Sequence, residues 1–301
     1  MSATPGDAIT DHERRALAVG AQQREYLLYV PKRWREAGPP TATPVVLVFH
    51  GGGGTAQFAV AGLNWSRQAE DSGFLAVYPE GLRKDMSRPA SFLRNPQFWS
   101  VAAGFGYSER LGSDDVLFVE AILAELSTRF AVDPARIYAT GFSNGGSMAF
   151  RVGVELSDRF AAIAPVAGHL WLKSGAPPRV APLIYFCGDV DPLCPLRGGV
   201  VKSPWGKLTE LPPVDESILT WARWAGCSLR PRVEEIAAGV TLARFGPGVG
   251  GARVDFFTVS GAGHVWPGGA SVMNERISGP ASHRIDATAV IWEFFREFAR
   301  V

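Results

Sequence analysis

The stretch Ile137-Tyr138-Ala139-Thr140-Gly141-Phe142-Ser143-Asn144-Gly145-Gly146-Ser147 constrains the chain more than any other. Ile137 to Ala139 are strand formers, Met148 to Leu156 carry helical spacing, and between them Gly141, Gly145 and Gly146 bracket Ser143. A strand that turns into a helix within so few residues leaves no room for bulky neighbours, and it lifts the central side chain clear of the sheet edge. A serine in G-x-S-x-G between a strand and a helix has the pattern of a nucleophile elbow. Glycine and serine alone would equally describe an ordinary loop. The flanking elements separate the two readings.

The rest of the chain supports a fold around that turn. Continuous apolar runs occur at Val45 to Phe49, Phe74 to Tyr78, Phe160 to Val166 and Pro182 to Phe186, as expected of strands buried on both faces. Helical spacing lies between them, at Phe58 to Asp71, after Ser113, and at Val214 to Ala225. Strands alternating with helices imply an α/β fold with a mostly parallel central sheet and helices on both faces. Arg24 to Pro31 reads as a first strand, Val240 to Phe245 and Val254 to Val259 as a late pair, and Asp286 to Val301 as a closing helix with Ile291, Trp292, Phe295 and Phe298 inward. Ser113 is expected to cap its helix, with Asp114 and Asp115 in the first turn where carboxylates favour the positive end. Residues 1–20 read as a mobile lead-in, and residues 82–112 and 197–213 as irregular decorations over the active-site edge of a single domain spanning 1–301.

Composition excludes several function classes. With 301 residues, 47% of them apolar and 20% charged, the chain can bury a large core, and a net charge of +1 with no basic cluster gives no footprint for nucleic acid. No run of about 18 apolar residues suggests a membrane span. The polar start shows no signal peptide, so the expected location is cytoplasmic as written, or secreted if a leader was removed. Cys187, Cys194 and Cys227 lack the spacing of a zinc site or a redox pair and are expected as reduced, partly buried thiols. No metal or cofactor is implied.

Ligands in such sheets bind beyond the carboxyl ends of the strands. Four apolar runs end in chemically loaded turns there: His50-Gly51-Gly52-Gly53-Gly54, Ser143, Asp189-Val190-Asp191, and Gly261-Ala262-Gly263-His264. A serine hydroxyl needs a base within hydrogen-bond reach. His264, in a late glycine-rich turn after a strand, is the candidate; His12, His50, His169 and His283 lie at less suitable places, with His50 read as a loop organiser and His169 as a pocket-lining residue. The base needs an acid to fix its tautomer. Asp191 is favoured over Asp189 because Pro192 stiffens its turn. An oxyanion needs backbone N–H donors, each worth about 100- to 1,000-fold in rate. Asn144 is one expected donor, and Gly52 or Gly53 the other. The glycine run lacks the lysine and hydroxyl of a phosphate loop. The order Ser, Asp, His is that of α/β-hydrolases.

These pieces, with Asp114-Asp115-Val116, Phe160 to Gly168, Gly188-Asp189-Val190-Asp191-Pro192, Trp221 to Cys227 and Gly263-His264-Val265-Trp266-Pro267-Gly268, resemble the polyhydroxybutyrate depolymerase-like and feruloyl-esterase-like branch of the α/β-hydrolases. The resemblance spans roughly residues 24–300. It implies the triad acid at Asp191 and the base at His264. It also sets Trp266 beside the base, as a pocket wall or as a core residue under the turn. Many relatives carry cysteines around residues 99–113 and a histidine at 187; this chain has neither.

The expectation is therefore a serine carboxylic-ester hydrolase, with catalytic Ser143, Asp191 and His264, an oxyanion hole from Asn144 with Gly52 or Gly53, and Trp99, Trp171 and Trp266 as candidate substrate contacts. Phe98, Phe105, Tyr107 and Trp205 are further aromatics of the decorations, expected to stack on a hydroxycinnamoyl ring, to pack on hydroxyalkanoate units, or to belong to the core. The expected partner is a small or oligomeric ester, feruloyl, acetyl or hydroxyalkanoate. An acyltransferase with the same triad and a non-catalytic binding protein on this scaffold are the alternatives.

Overall fold

The computed structural model describes residues 11–38, 40–102, 104–172, 175–270 and 273–300. The strands, in chain order, are β1 (His12–Val19), β2 (Gln22–Tyr29), β3 (Thr43–Phe49), β4 (Leu75–Pro79), β5 (Leu82–Arg83), β6 (Gln97–Phe98), β7 (Val132–Phe142), β8 (Ala162–Val166), β9 (Leu183–Gly188), β10 (Gly199–Lys202), β11 (Leu208–Leu211), β12 (Arg232–Ala237), β13 (Val240–Phe245) and β14 (Val254–Val259). Ten of them form one sheet in the order β1-β2-β4-β3-β7-β8-β9-β14-β13-β12, while β5–β6 and β10–β11 are separate hairpins. From β4 to β14 every neighbouring pair is parallel, and both ends of the sheet are antiparallel. Every residue of β3, β4, β8 and β9 is buried, which is why these strands read as unbroken apolar runs.

The helices are α1 (Lys32–Ala37), α2 (Ala56–Gly62), α3 (Trp65–Ser72), α4 (Asp115–Arg129), α5 (Asn144–Glu155), α6 (Val214–Trp224), α7 (Glu275–Ser278) and α8 (Ala287–Phe295). Side-chain alternation assigns them to two layers. Tyr138 of β7 stacks on Phe295 of α8, with ring centroids 4.7 Å apart. Its strand neighbour Ala139 pairs with Ile163 of β8, and Ile163 packs under Gly153 of α5. So α8 and α5 cover opposite faces. Trp65 of α3 stacks on Phe295 beside α8, and Trp221 of α6 lies 5.5 Å from Phe150 of α5.

Several expectations are corrected. Residues 12–19 are not a lead-in but β1, an amphipathic edge strand paired along its whole length with β2; residues 1–10 lie outside the described residues. The helix expected over 58–71 is two helices, because Asn64 adopts a left-handed conformation (φ 57°) between α2 and α3. Residues 199–211 form the β10–β11 hairpin rather than an irregular stretch. The late strand pair is a three-stranded antiparallel group, since the mostly exposed β12 joins it. The closing helix ends at Phe295. All three cysteines are free and buried. Among the described residues no helix is long and apolar enough to cross a membrane.

The cap of α4 also differs. Asp114, not Ser113, accepts from the N–H groups of Val116 and Leu117. Asp115 has another task. It is fully buried, accepts from Arg24 Nη2 on β2 at 2.7 Å, from the Ser100 N–H at 2.8 Å and from the Ser108 hydroxyl at 2.7 Å. One carboxylate thus ties the sheet, α4 and the 82–112 segment together. Removing one partner of a buried ion pair typically costs about 3–5 kcal/mol, because the other charge stays buried. Asp115→Ala should lower unfolding free energy by about 3 kcal/mol or more in urea titration; a loss under about 1 kcal/mol would contradict this role.

Candidate active site

Ser143 sits where β7 passes into α5, with φ 56° and ψ −119°, a strained conformation for a residue with a side chain. Its N–H donates to the Val166 carbonyl at 2.8 Å, which holds the turn against the end of β8. The glycines explain how the turn closes. A Cβ on Gly145 would stand 2.2 Å from the Phe49 carbonyl oxygen and 2.5 Å from that of His50. The first turn of α5 therefore lies directly on the end of β3.

His264 and Asp191 come from turns after β14 and β9, which are parallel neighbours. His264 Nδ1 lies 2.7 Å from Asp191 Oδ2. Both side chains are buried, and the other carboxylate oxygen accepts from the N–H groups of Leu193 and Cys194, each at 2.7 Å. The carboxylate is thus fixed by its own turn and takes the Nδ1 proton, which leaves Nε2 as the basic nitrogen. Phe142 packs against the imidazole with centroids 4.7 Å apart. Asp189 does not reach His264. It is exposed, and its carboxylate accepts from the Gly261 N–H at 2.6 Å, so it joins the two turns instead of bonding within its own. The turns cross so closely that a Cβ on Gly188 would lie 2.0 Å from the Ala262 carbonyl oxygen.

The glycine run after β3 lies beside Ser143. Asn144 N–H is among the first helical N–H groups of α5, which have no intrahelical acceptor. The Asn144 side chain is clamped on the backbone of Trp99, accepting from its N–H at 2.7 Å and donating to its carbonyl at 3.2 Å. Gly52 and Asn144 both border the cavity described below. Gly53 does not share this position. Its N–H donates to the Gln97 carbonyl at 2.7 Å, which removes it as an oxyanion donor and leaves Gly52 of the two glycines considered. His50 organises this loop. It accepts from the Gly81 N–H through Nε2 at 2.9 Å and so carries its proton on Nδ1, 2.8 Å from the Gly51 carbonyl, and burial pushes its pKa down.

Ser143, Asn144, Gly52 and His264 face a cavity of about 480 Å³, within the usual range for small-molecule sites. Its walls are aromatic and aliphatic, from Phe92, Phe98 and Phe105 of the 82–112 segment, Val201, Trp205 and Leu211 of the β10–β11 hairpin, and Trp171 after β8. Among the described residues that line it, none is Asp, Glu, Lys or Arg. Of Trp99, Trp171 and Trp266, Trp171 alone lines the cavity, together with Trp205 of the hairpin. Trp99 is fully buried behind it, donating its indole N–H to the His50 carbonyl at 3.0 Å. Trp266 is a core residue that donates to the Thr288 hydroxyl at 2.9 Å, which is the alternative reading of that position. Tyr107 is not on the wall, whereas Phe58 of α2 and Met273, Asn274 and Ile277 around α7 are. Nothing in residues 273–277 signals a site; only the folding of that segment over the His264 turn, through Ser278 O and His264 N, brings it there.

The other histidines separate clearly. His12 lies on β1 with Nε2 2.8 Å from the Ser66 hydroxyl, and His283 is exposed. His169 lines the cavity, is 4% exposed, and burial holds its pKa down at about 4.

The chain is similar to known esterases in sequence and in fold. The dienelactone hydrolase family model matches residues 34–197. "Putative esterase NocK" of Nocardia uniformis subsp. tsuyamanensis is 29% identical over 298 residues, covering 93% of this chain and 81% of that protein. Feruloyl esterase B of Piromyces equi is 28% identical over 228 residues, 74% of this chain, which spans only 40% of that longer protein. The structure of an acetyl xylan esterase from Aspergillus awamori superposes with a TM-score of 0.65 at 13% identity, covering 94% of this chain and 99% of that one, a likeness of fold.

Two expectations follow from the local geometry. Gly145→Ala forces β3 and α5 apart and should cost about 2 kcal/mol or more, as overpacking does, read by urea unfolding; a neutral effect would contradict the close approach. His169 binds its proton near pH 4 folded and near 6.5 unfolded. Between those values only the unfolded chain is protonated there, so stability falls as pH drops through this window and is unaffected above it. From pH 7 to 4 the wild type should lose about 3 kcal/mol more than His169→Leu; equal losses would show that His169 titrates normally.

Proposed function

The chain belongs to the dienelactone hydrolase family and is a carboxylic-ester hydrolase, and within that class we propose a serine esterase whose nucleophile, base and acid are Ser143, His264 and Asp191. The observation that carries this reading is the 2.7 Å contact between His264 Nδ1 and the buried Asp191 carboxylate, in an imidazole that lines the same cavity as Ser143. The Ser143 oxygen attacks the ester carbonyl carbon as His264 Nε2 takes its proton. The carbonyl oxygen becomes an oxyanion, met by the N–H groups of Asn144 and Gly52. Collapse breaks the bond to the alcohol oxygen, which takes the proton from His264. Water, deprotonated by the same nitrogen, then cleaves the acyl-enzyme and regenerates Ser143. Asp191 holds the Nδ1 proton throughout and stabilises the imidazolium.

The cavity favours uncharged esters, because an ion entering it meets no charged side chain among the described lining residues and must shed its hydration. Aromatic faces suit a feruloyl ring and aliphatic hydroxyalkanoate units alike, and a small acetyl group leaves most of the space to the alcohol. Feruloyl, acetyl and hydroxyalkanoate esters are the proposed substrate set. Ser143→Ala should abolish turnover of p-nitrophenyl butyrate and labelling by a fluorophosphonate, with the fold intact by circular dichroism. Asp191→Asn should lower kcat by about 10⁴-fold, as loss of the orienting acid does elsewhere. Near-normal turnover in either variant would overturn the assignment.

A further inference from the structure

His169 is a further imidazole on the cavity wall, beside His264 and His50, and the proposed mechanism gives it no task. It follows β8, and its backbone N–H donates to the Ser147 hydroxyl at 2.9 Å; Ser147 N–H in turn donates to the Ser143 carbonyl at 3.0 Å. The backbone of His169 therefore lies beside the first turn of α5, one helical turn along from the nucleophile. Its Nε2 lies 3.3 Å from the Cys194 sulfur. Its Nδ1 is buried and has no hydrogen-bond partner among the described residues.

We assign the ring proton from the Cys194 contact. Cys194 is buried and its backbone N–H is held by Asp191, which fixes the turn that carries the thiol. Burial pushes the thiol pKa up, and burial holds the imidazole pKa low, so both groups are neutral near pH 7. Of the two ways to pair them, a ring nitrogen is a much better acceptor than sulfur. The thiol therefore donates to Nε2, and the ring proton resides on Nδ1. A buried N–H donor without a partner is rare in folded proteins and calls for a functional explanation.

We propose that His169 is a specificity-determining residue whose Nδ1–H binds an oxygen of the substrate outside the scissile ester, so that the preferred esters carry a hydroxyl, ether or keto oxygen on the acyl or alcohol arm. The inference rests on the reading of this cavity as the esterase site. Nδ1 has no exposed surface in the cavity, so binding includes a shift of the half-buried Trp171, 5.4 Å from the imidazole, that makes room for that oxygen. The surrounding wall is apolar, and an apolar wall discriminates weakly between ligands that differ by one small group. A site with a buried donor discriminates far more strongly, because an analogue without the acceptor leaves the donor unpaired.

The test compares kcat/KM within three matched pairs: ethyl 3-hydroxybutyrate with ethyl butyrate, methyl ferulate with methyl cinnamate, and 2-hydroxyethyl butyrate with propyl butyrate. The first two place the oxygen on the acyl arm and the third on the alcohol arm. The wild type should favour the oxygenated member at least about tenfold in one pair or more. His169→Leu should reduce that ratio threefold or more. A wild-type ratio below tenfold in every pair, or a smaller reduction in the variant, overturns the proposal. Should His169→Leu fail to fold, two other variants decide. His169→Asn keeps a donor near the Nδ1 position and His169→Gln keeps one near Nε2, so the first should retain more of the preference; equal ratios overturn the proposal. Fluorophosphonate labelling of Ser143 in each protein separates the two levels. A labelled wild type without oxygen preference refutes the role of His169 alone, and an unlabelled wild type refutes the site.

Discussion

The close approach of the first turn of α5 to the end of β3 is the constraint on which the site depends. Gly145 has only a hydrogen where a methyl group would meet two carbonyl oxygens at 2.2 and 2.5 Å. With that spacing, Ser143, the N–H of Asn144 and the glycine run after His50 share a few ångströms of space, although they come from strands far apart in sequence. Ser143 itself carries the strain, at φ 56°. The surrounding sheet makes this tolerable. β7 is flanked by β3 and β8, both parallel to it and fully buried, and the Ser143 N–H is held by Val166 at the end of β8. A strained residue persists only where its surroundings over-determine it.

The same pinning extends outward without covalent links. Asn144 follows Ser143 and clamps both polar groups of the Trp99 backbone, while Asp115 takes the N–H of the next residue, Ser100. Two polar side chains, the half-buried Asn144 and the buried Asp115, thereby fix the middle of the 82–112 segment, a region without cysteine in this chain. The segment's far end meets the β10–β11 hairpin, where the Trp205 indole donates to the Phe92 carbonyl at 2.5 Å and its ring lies 4.8 Å from Phe98. Wall and roof of the cavity are therefore one connected unit, anchored at the elbow on one side and at β2 through Arg24 on the other.

This connectivity explains what could be read from the sequence and what could not. The central strands were legible because burial on both faces writes itself as an unbroken apolar run, as in Val45 to Phe49. The elbow was legible because its geometry admits few residue types. The turns bearing Asp191 and His264 could be placed by their position after such runs. Edge strands were not legible: β1 and β12 expose alternate or most residues, so their sequences resemble surface loops. Nor was the break at Asn64, where one left-handed residue interrupts a continuous helical pattern. Which aromatics face the cavity was equally hidden. Trp99 and Trp171 look alike in sequence, and only the clamp by Asn144 turns Trp99 into the core. Gly53 was lost as a donor to a carbonyl at Gln97, forty-odd residues away, a contact that no local rule predicts.

Recognition and chemistry are thus built from different kinds of residue. The proposed reacting groups sit in turns at the ends of buried parallel strands, where position is set by the sheet. The walls come from segments with little regular structure, whose positions depend on a few polar anchors. His169 stands at the boundary between the two. It follows β8, so the sheet fixes its backbone, yet its ring belongs to the wall and its partner Cys194 belongs to the acid turn. Because the Cys194 N–H and His264 Nδ1 bond to the two oxygens of one Asp191 carboxylate, the thiol that orients His169 is held in register with the proposed base. A substrate oxygen bound at His169 would therefore be positioned relative to the scissile carbonyl through β8 and the acid turn, with Trp171, stacked on Phe105 of the 82–112 segment, as the contact to the wall.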